Sequence, residues 1–236
     1  TPIVFQAKEG LAWNNGTSVM TGLSALAMAR AKRLVTISDL ALALTLEAIC
    51  GLSNAFDSKL HQLRPHAGQI ASAKAVKSYI AGSKLVDSFP ERVQDSYSVR
   101  CAPQVHGAAR DALAYVESVI EIELNSVTDN PIIFDKPAQA ISGGNFHGEP
   151  IAIAMDTFAI AVSELANISE RRIAKLLDPV NNGGLPIFLM AEKHAGLNSG
   201  LMMPQYTAAA LVSEIKVLAH PASVDSIPSS VNQEDH

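Results

Sequence analysis

The sequence predicts an all-α protein, a bundle of long helices, and three observations lead to that prediction. Apolar residues recur at helical spacing over long stretches of the chain. Strand signals are confined to one short region after residue 130. The sequence has no alternation of strands and helices with a glycine fingerprint, the pattern typical of nucleotide-binding α/β folds. We expect the two longest helices to pack side by side and their ends to carry the chemistry.

The first part of the chain is predicted to hold two consecutive helices. Asn14-Asn15-Gly16-Thr17 is typical of a turn and offers a helix N-cap. The first helix is predicted over residues 18–34. Ser38-Asp39 is a good cap for a second helix that is apolar almost all round to Ile49. A helix that is apolar on every side is a buried one, so we expect the second helix in the core.

Residues 51–94 are predicted as two loops around one short helix. The first loop, residues 51–68, contains His61 and His66. Residues 69–81 have the apolar spacing of an amphipathic helix. Residues 82–94 are polar and contain a proline, so they are predicted as loop.

Long helices dominate the second half. Helical periodicity is clear over residues 103–124, and Thr128-Asp129-Asn130-Pro131 ends it as a turn. Ile132-Ile133-Phe134 and Ala140-Ile141 are short apolar runs that can pair as a hairpin. The remaining predicted elements are a long helix over residues 149–177, a break at residues 181–184, and a last helix over residues 204–219.

Composition excludes several classes of protein. Of the 236 residues 48% are hydrophobic and only 17% are charged, which indicates surfaces buried against other chains. The net charge of -5 gives no basic surface for nucleic acid. The longest apolar stretches are too short for a membrane span or carry Glu47 and Asp156. Cys50 and Cys101 form no CxxC pair, and the chain does not start with a signal peptide, so we expect a reducing, cytoplasmic location.

The segment from Gln94 to Arg100 stands out as a candidate site. Gln94, Tyr97 and Arg100 are spaced three residues apart, so a helical turn would bring them to one face. They would present an amide, a hydroxyl that can move a proton, and a fork suited to a carboxylate. The same spacing also suits a polar contact between helices.

The chain resembles the histidine ammonia-lyase family of aromatic amino acid lyases. The matching motifs follow the family's order and cover essentially the whole chain. The segments that carry the resemblance are Lys8-Glu9-Gly10-Leu11-Ala12, Asn15-Gly16-Thr17, Gln94 through Arg100, Glu123-Leu124-Asn125-Ser126, Asp129-Asn130-Pro131, Ser142-Gly143-Gly144-Asn145-Phe146-His147, Ser169-Glu170-Arg171-Arg172-Ile173, Leu197-Asn198-Ser199-Gly200, Ser223-Val224-Asp225-Ser226-Ile227-Pro228 and Asn232-Gln233-Glu234-Asp235-His236.

The resemblance implies the long-helix bundle of the ammonia-lyase and fumarase-like type. It also implies non-oxidative elimination of ammonia from an aromatic amino acid, with histidine giving urocanate. The family uses no metal for this step. Its electrophile is a methylidene-imidazolone (MIO) ring formed from an internal Ala-Ser-Gly, which makes the amine a competent leaving group while a base takes the β-proton.

The chain departs from the family pattern because it contains no Ala-Ser-Gly. In the family that tripeptide lies upstream of Lys8-Glu9-Gly10, and the family chain continues beyond the motif that ends at His236. Residues 1–236 are therefore expected to be the central part of a larger ammonia-lyase, a single domain incomplete at both ends. Alone, this part is expected to be inactive.

The resemblance implies roles for residues that have structural alternatives. Asn15 matches the asparagine that hydrogen-bonds the MIO ring, although an asparagine before glycine is also common in turns. Gln94 matches the residue beside the ring, and Tyr97 the phenol near ring and substrate, although a tyrosine with a satisfied hydroxyl is common in cores. Arg100 matches the residue that binds the substrate carboxylate, with a salt bridge as its alternative.

Two further residues match positions near the substrate side chain. Phe146 matches an aromatic residue that packs near the substrate ring, and core packing is its alternative. Glu234 matches a carboxylate that could hold the imidazole N–H or serve as a base. Relatives that act on phenylalanine tend to carry glutamine at this position, which favours histidine, although some tyrosine-acting relatives share the motif.

Family members are homotetramers with active sites drawn from more than one subunit, so a homo-oligomer is expected. Three rival functions remain open: a tyrosine or phenylalanine ammonia-lyase, an aminomutase on the same scaffold, or a non-catalytic fragment that oligomerises through its helices. No HExxH or other metal-ligand spacing is present, so the histidines are interpreted as structural. They are His61, His66, His106, His147, His194, His220 and His236.

Overall fold

The computed structural model describes residues 2–191, 193 and 196–236, so the structural role predicted for His194 lies outside the described residues. Helices dominate. The α-helices are α1 (Glu9–Asn14), α2 (Ser18–Ala48), α3 (Ser58–Gln62), α4 (Ala67–Tyr79), α5 (Tyr97–Arg100), α6 (Ala102–Leu124), α7 (Glu149–Leu177) and α8 (Met202–Leu218). Strands β1 (Ile132–Asp135) and β2 (Ala138–Ile141) lie between α6 and α7.

The second half of the chain folds as predicted. Helix α7 has the predicted bounds, and Pro150 lies in its first turn, where a missing N–H does no harm. The predicted hairpin is present and antiparallel, with Ile132 opposite Ile141 and Asp135 opposite Ala138. The polar loop over residues 82–94 contains no helix or strand.

The prediction of two helices separated at Ser38-Asp39 is wrong, because α2 runs unbroken through both residues. The Ser38 hydroxyl donates to the Leu34 carbonyl oxygen at 2.8 Å, a bond within the helix rather than a cap. Asp39 is fully buried and accepts hydrogen bonds from side chains far along the chain. The predicted loop at residues 51–68 also contains the short helix α3.

Helix α2 is not buried on every side within this chain. Leu42 and Leu46 are fully buried, but apolar side chains at helical spacing remain exposed along the opposite face. We call this set the outer stripe. Its members, each at least 44% exposed, are Val19, Leu23, Leu26, Leu34, Ile37, Leu40 and Leu44.

Contacts divide the chain into two compact units. Unit 1 comprises the described residues of Thr1–Arg30, Ala114–Phe158 and Pro221–His236. Unit 2 comprises the described residues of Ala31–Leu113 and Ala159–His220. The prediction of a single incomplete domain stays a prediction.

The core of unit 2 surrounds the candidate turn of α5. Val99, in α5, is fully buried against apolar residues of α2, α4 and α7. Burial of this one side chain anchors a helix of only four residues. The members of this core are Leu42, Ala43, Leu46, Ile49, Phe56, Val76, Ile80, Val86, Val99, Ala102 and Ile168.

Helix α7 is long and apolar enough, by length and composition alone, to cross a membrane. Core helices of proteins that never enter a membrane meet the same criterion. The charged residues Glu170, Arg171 and Arg172 lie in its last two turns. The expectation that the chain does not span a membrane stays a prediction.

Candidate active site

Tyr97 and Arg100 lie together on the turn of α5. The turn closes through hydrogen bonds from the Arg100 N–H to the Ser96 carbonyl oxygen at 2.9 Å and from the Cys101 N–H to the Tyr97 carbonyl oxygen at 3.0 Å. The guanidinium carbon of Arg100 lies 4.6 Å from the centroid of the Tyr97 ring, a cation–π contact. Tyr97 is 70% exposed, so its hydroxyl is open to a ligand.

The Arg100 guanidinium keeps hydrogen-bond donors that no described residue of the protein accepts. Its Nε is buried and has no hydrogen-bond partner within the described part of the chain. A buried donor without a partner is unfavourable, and such groups are frequent at functional sites. The guanidinium is therefore held against the Tyr97 ring with hydrogen-bonding capacity to spare, as a carboxylate-binding group needs.

Gln94 lies outside the helix, so the prediction of one helical turn from Gln94 to Arg100 is wrong at its first residue. The cause is Asp95, whose carboxylate accepts from the Leu52 N–H at 2.7 Å and lies 3.5 Å from the Arg92 guanidinium. These contacts hold the segment before α5 against the end of α2. The Gln94 side chain is exposed and lines a cavity of about 440 Å³ together with Ile49, Arg92, Asp95, Ser96 and Lys175.

A second cleft of about 410 Å³ lies beside the first and is lined by Tyr97 and Ser98. It shares Ser96 and Lys175 with the Gln94 cavity. Burial lowers the pKa of Lys175, and the positive charge of Arg92 lowers it further. Gln94 and Tyr97 therefore face adjoining spaces in the same unit.

A polar network centred on the fully buried Asp39 and His106 lies behind α5 in unit 2. The Asp39 carboxylate accepts from Ser72 Oγ at 2.6 Å, from His106 Nδ1 at 2.7 Å and from Arg110 at 2.5 Å. Burial alone would raise the pKa of Asp39, but these hydrogen bonds outweigh it and lower the pKa below 3.8. Burial lowers the pKa of His106, against the opposing effect of Asp39, and the charge of Arg172 lowers it further.

Sequence reasoning assigned no role to this network. Asp39 was predicted as a helix cap, and Arg172 belongs to a family motif without an assigned function. A usable signal was present, since Asp39 is an acidic residue inside an otherwise apolar helix. A charge on such a face needs buried partners. The partners themselves are not visible in the sequence, because they lie 33 to 71 residues away.

The lowered pKa of His106 predicts a loss of stability at mildly acidic pH. In the unfolded chain the residue takes up a proton near its ordinary pKa of 6.5, but in the folded chain it does so only at lower pH. The unfolded state therefore binds more protons below about pH 6.5, and the free energy of unfolding should fall as pH is lowered from about 7 to about 5. Urea unfolding at several pH values measures this slope.

The matched variant for that measurement is His106→Asn, which keeps a donor to Asp39 but does not titrate. Its slope between the same pH values should be shallower than that of the parent chain. Equal slopes would show that another group causes the acid sensitivity. The charged groups that face His106 are Asp39, Arg110 and Arg172. The pKa of Asp39 is lowered below its ordinary 3.8 and that of Arg172 is lowered to about 10, so neither of these two changes protonation between pH 5 and 7.

Asn15 is half-buried in unit 1 and follows the short helix α1. The Lys8 ammonium forms an ion pair with Asp129, and the Thr17 hydroxyl donates to Glu123 Oε1 at 2.5 Å. These two contacts, on either side of Asn15, fix the turn that carries it. The side-chain amide of Asn15 makes no hydrogen bond in the part of the chain that the structure describes, so it is free to serve a ligand.

Gly16 is the one residue that this turn can accept. Its φ is +86°, and a Cβ there would lie 2.0 Å from the Thr128 carbonyl oxygen. Gly16→Ala is therefore expected to lower the free energy of unfolding by more than about 1–2 kcal/mol, the penalty of the left-handed conformation alone. Urea unfolding measures the change.

The control for this substitution is Gly22→Ala, within helix α2, where an added Cβ meets no atom within 4 Å. It should raise the free energy of unfolding by about 0.5–1 kcal/mol, because alanine favours a helix over glycine. A Gly16→Ala variant as stable as the parent would contradict the close approach to Thr128.

Phe146 and Glu234 also lie in unit 1. Phe146 is 39% exposed, so it is not a fully packed core residue in this chain. The Glu234 carboxylate accepts from the hydroxyls of Ser229 at 3.2 Å and Ser230 at 3.0 Å, and its backbone pairs with Ser229. Glu234 is thus held as an acceptor on a local turn.

The structure brings Gln94, Tyr97 and Arg100 into unit 2 and Asn15, Phe146 and Glu234 into unit 1. Among these six described residues, only Tyr97 and Arg100 contact each other through their side chains. Among the described residues there is no group of three or more His, Cys, Asp or Glu side chains that could hold a metal ion. The assignments of site residues and of a metal-free reaction stay predictions.

Comparison with known proteins decides the family. The sequence model of the aromatic amino acid lyase family matches residues 1–236, the whole chain. The chain belongs to the aromatic amino acid lyase family. The resemblance read from the motifs and the assignment to the carbon–nitrogen lyases are thereby confirmed.

The curated relatives of this aromatic amino acid lyase include bacterial histidine ammonia-lyases. That of Treponema denticola is 55% identical over 235 residues, covering 100% of this chain and 46% of the relative. That of Caldanaerobacter subterraneus is 57% identical, covering 99% of this chain and 46% of the relative. The chain spans about half the length of the curated relatives it matches.

Solved structures confirm the predicted fold of this lyase. Histidine ammonia-lyase from Trypanosoma cruzi matches with a TM-score of 0.89 and 46% identity, covering 100% of this chain and 44% of that one. Tyrosine aminomutase from Streptomyces globisporus matches with a TM-score of 0.91 and 37% identity, covering 99% of this chain and 48% of that one. The all-α long-helix bundle of the ammonia-lyase type is confirmed.

Proposed function

We propose that this protein eliminates ammonia from L-histidine and releases urocanate. The observation that carries the proposal is the 55–57% identity to curated histidine ammonia-lyases along essentially the whole chain. Glu234 supports it, because a carboxylate can accept the N–H of an imidazole, whereas a phenyl ring offers no such donor.

The donors in this chain fit a group with an acceptor oxygen such as the MIO ring. The side-chain amide of Asn15, in unit 1, and that of Gln94, in unit 2, make no hydrogen bond in the described part of the chain, so each has a donor available for an acceptor of this kind. The chemistry that MIO would supply is electrophilic, making the amine of the substrate a leaving group. The ring is expected to come from an Ala-Ser-Gly, which these 236 residues do not contain.

The remaining residues act on the substrate itself. Arg100 binds the carboxylate, because its guanidinium retains unpaired donors and matches a carboxylate bidentately. Tyr97 moves a proton, a role supported by the exposure of its side chain beside Arg100. Phe146 packs against the imidazole, and Glu234 accepts the imidazole N–H or takes up the β-proton.

The test is an assay of the intact protein with histidine, tyrosine and phenylalanine. Urocanate from histidine, formed much more slowly by a Tyr97→Phe variant, is the expected result. Coumarate from tyrosine, or cinnamate from phenylalanine, without urocanate would replace the proposal by a tyrosine or phenylalanine ammonia-lyase. Formation of a β-amino acid would identify an aminomutase. This second candidate is supported by the structural match to the tyrosine aminomutase of Streptomyces globisporus.

Arg100→Lys is expected to raise KM for histidine. Lysine keeps the charge but loses the fork, so one of two charge-assisted hydrogen bonds to the carboxylate is lost, a change of about 1.5–3 kcal/mol or roughly 10–150-fold in KM. Steady-state kinetics measure KM and kcat. Arg33→Lys, an exposed arginine of α2, is the control and should leave both constants unchanged. An unchanged KM for Arg100→Lys would remove Arg100 from the carboxylate site.

We also propose that copies of this chain assemble into a homotetramer and cover the outer stripe of α2. An exposed apolar stripe of this length is rare on a monomer. The molar mass in solution, from light scattering at several concentrations, tests this proposal. Leu44→Lys, within the stripe, should shift the mass toward the monomer, and a monomeric parent protein would overturn the assembly.

The cytoplasm is the proposed location. Its support is chemical, because Cys50 and Cys101 are both unpaired thiols, as expected in a reducing compartment. Cell fractionation with an antibody against the protein tests it, and recovery outside the cytoplasmic fraction would overturn it.

A further inference from the structure

Three buried polar residues, each from a different helix, are linked by hydrogen bonds behind α5 in unit 2. Asp39 in α2 and His106 in α6 are 0% exposed, and Arg172 in α7 is 2% exposed. Charged groups are rarely enclosed so completely, because taking them out of water is unfavourable unless they are paired. The network therefore requires a structural or a functional explanation.

The hydrogen bonds among these three residues share one direction of donation, from Arg172 to His106 and from His106 to Asp39. Arg172 lies 3.4 Å from His106 Nε2 and can only donate, so Nε2 accepts and the proton of the ring lies on Nδ1. Nδ1 then donates to Asp39 at 2.7 Å. The same terminal nitrogen of Arg172 donates to the backbone carbonyl oxygen of Ser98 at 3.2 Å. The lowered pKa of His106 agrees with a neutral ring in this position.

Ser98 lies within α5, between Tyr97 and Arg100. A helix of four residues is too short to hold itself in place by its own hydrogen bonds. Its position must come from contacts with neighbouring elements, and the described residues supply two of them. One is the burial of Val99 in the core, and the other is the bond from Arg172 to Ser98.

Arg172 leaves one of its own hydrogen-bond donors unsatisfied. Its second terminal nitrogen is buried and has no hydrogen-bond partner among the described residues. Burial also lowers the pKa of Arg172 to about 10, which still leaves it charged at neutral pH. An arrangement that served stability alone would pair this donor or replace the arginine by an apolar residue.

We infer that Arg172, oriented by His106 and Asp39, is a positioning residue that fixes the turn carrying Tyr97 and Arg100. The inference takes its catalytic meaning from the proposed function, since Tyr97 and Arg100 are the proposed proton-transfer and carboxylate-binding groups. Its structural content, that Arg172 orders α5, does not depend on that function. The two parts are tested separately.

The first experiment measures amide hydrogen exchange of the intact protein by mass spectrometry. The reporting amides are those of Val99, Arg100 and Cys101, which close the α5 turn through Ser96 and Tyr97. Arg172→Met, close in length but without donors, should speed their exchange by about tenfold or more, the loss of one charge-assisted hydrogen bond. Exchange in α4, which has no hydrogen bond to Arg172 among the described residues, should stay at the parent rate.

His106→Asn is the second variant and keeps the inference testable where Arg172→Met fails to fold. Its amide can still donate to Asp39 but cannot accept from Arg172, so α5 exchange should rise in the same direction. The control is His61→Asn, which keeps an acceptor for Gln69 but loses another polar contact of unit 2, from His61 Nε2 to the Ala55 carbonyl oxygen at 3.0 Å. Parent-rate exchange in α5 for both Arg172→Met and His106→Asn, or an equal increase in α4 and α5, would overturn the inference.

The second experiment is a double-mutant cycle on urocanate formation with Tyr97→Phe. If Arg172 acts through Tyr97, Arg172→Met should lower kcat much more in the parent than in the Tyr97→Phe background. Equal fold-losses in both backgrounds would reduce Arg172 to a general stability role. Absence of urocanate from the parent protein would refute the proposed function, while the exchange experiment would still decide the ordering of α5.

Discussion

Asp39→Ala is expected to lower the free energy of unfolding by about 3–5 kcal/mol, because it removes the acceptor at the centre of a buried charged network. Its carboxylate accepts from His106, Ser72 and Arg110, so three donors lose their partner together. Urea unfolding at pH 7 measures the change. Asp39→Asn keeps the shape and one acceptor oxygen but not the charge. Its free energy of unfolding should lie between that of Asp39→Ala and that of the parent.

The pH dependence gives this prediction a sign. The pKa of Asp39 is lower in the folded chain than its ordinary 3.8, so its contribution is fully present above that value and is lost as pH falls through the folded pKa. The parent and Asp39→Ala should therefore converge in stability under strongly acidic conditions. Asp135→Ala, an exposed carboxylate of β1, is the control and should change stability far less. An Asp39→Ala chain of parent stability would mean that the network is not a stabilising element.

Tyr97→Phe is expected to lower kcat for urocanate formation by about 10²–10⁴-fold, the usual contribution of a group that moves a proton in the transition state. The fold should survive the substitution, because Tyr97 is 70% exposed and its hydroxyl has no recorded hydrogen bond within the described residues. Steady-state kinetics together with thermal unfolding separate the two effects.

The control for Tyr97→Phe is Tyr79→Phe in α4, a phenol of the same unit that is 44% exposed. It should leave kcat unchanged. A Tyr97→Phe variant with kcat within a few fold of the parent would assign proton transfer to another group. Glu234, the other proposed proton acceptor, would then be the next residue to substitute.

The elements that were predicted correctly are those whose information is local. Helix α7 follows from continuous periodicity after Gly143-Gly144, and the β1–β2 hairpin from two short apolar runs close together in sequence. Helix α2 was predicted as two helices because Ser38-Asp39 has the local signature of a cap. The three partners that hold Asp39 inside the bundle come from α4 and α6, and only the folded chain brings them close.

The candidate site shows the same division. The spacing of Tyr97 and Arg100 predicted their contact correctly, since both lie on one turn. Gln94 was assigned to the same turn, but Asp95 accepts a hydrogen bond from the Leu52 N–H, and the helix begins only at Tyr97. Family motifs supplied the roles, while the support from Arg172 depends on a bond across 74 residues of sequence.

In the proposed homotetramer, the outer stripe of α2 would link the stability of this protein to its concentration. Once copies cover the stripe, folding and association are one equilibrium, and mass action makes the thermal midpoint rise as more protein is added. At low concentration, during synthesis, each new chain would carry uncovered apolar side chains and would depend on meeting a partner before it meets another unfolded chain. The amount of protein that a cell makes would thus itself be a determinant of how much of it stays folded.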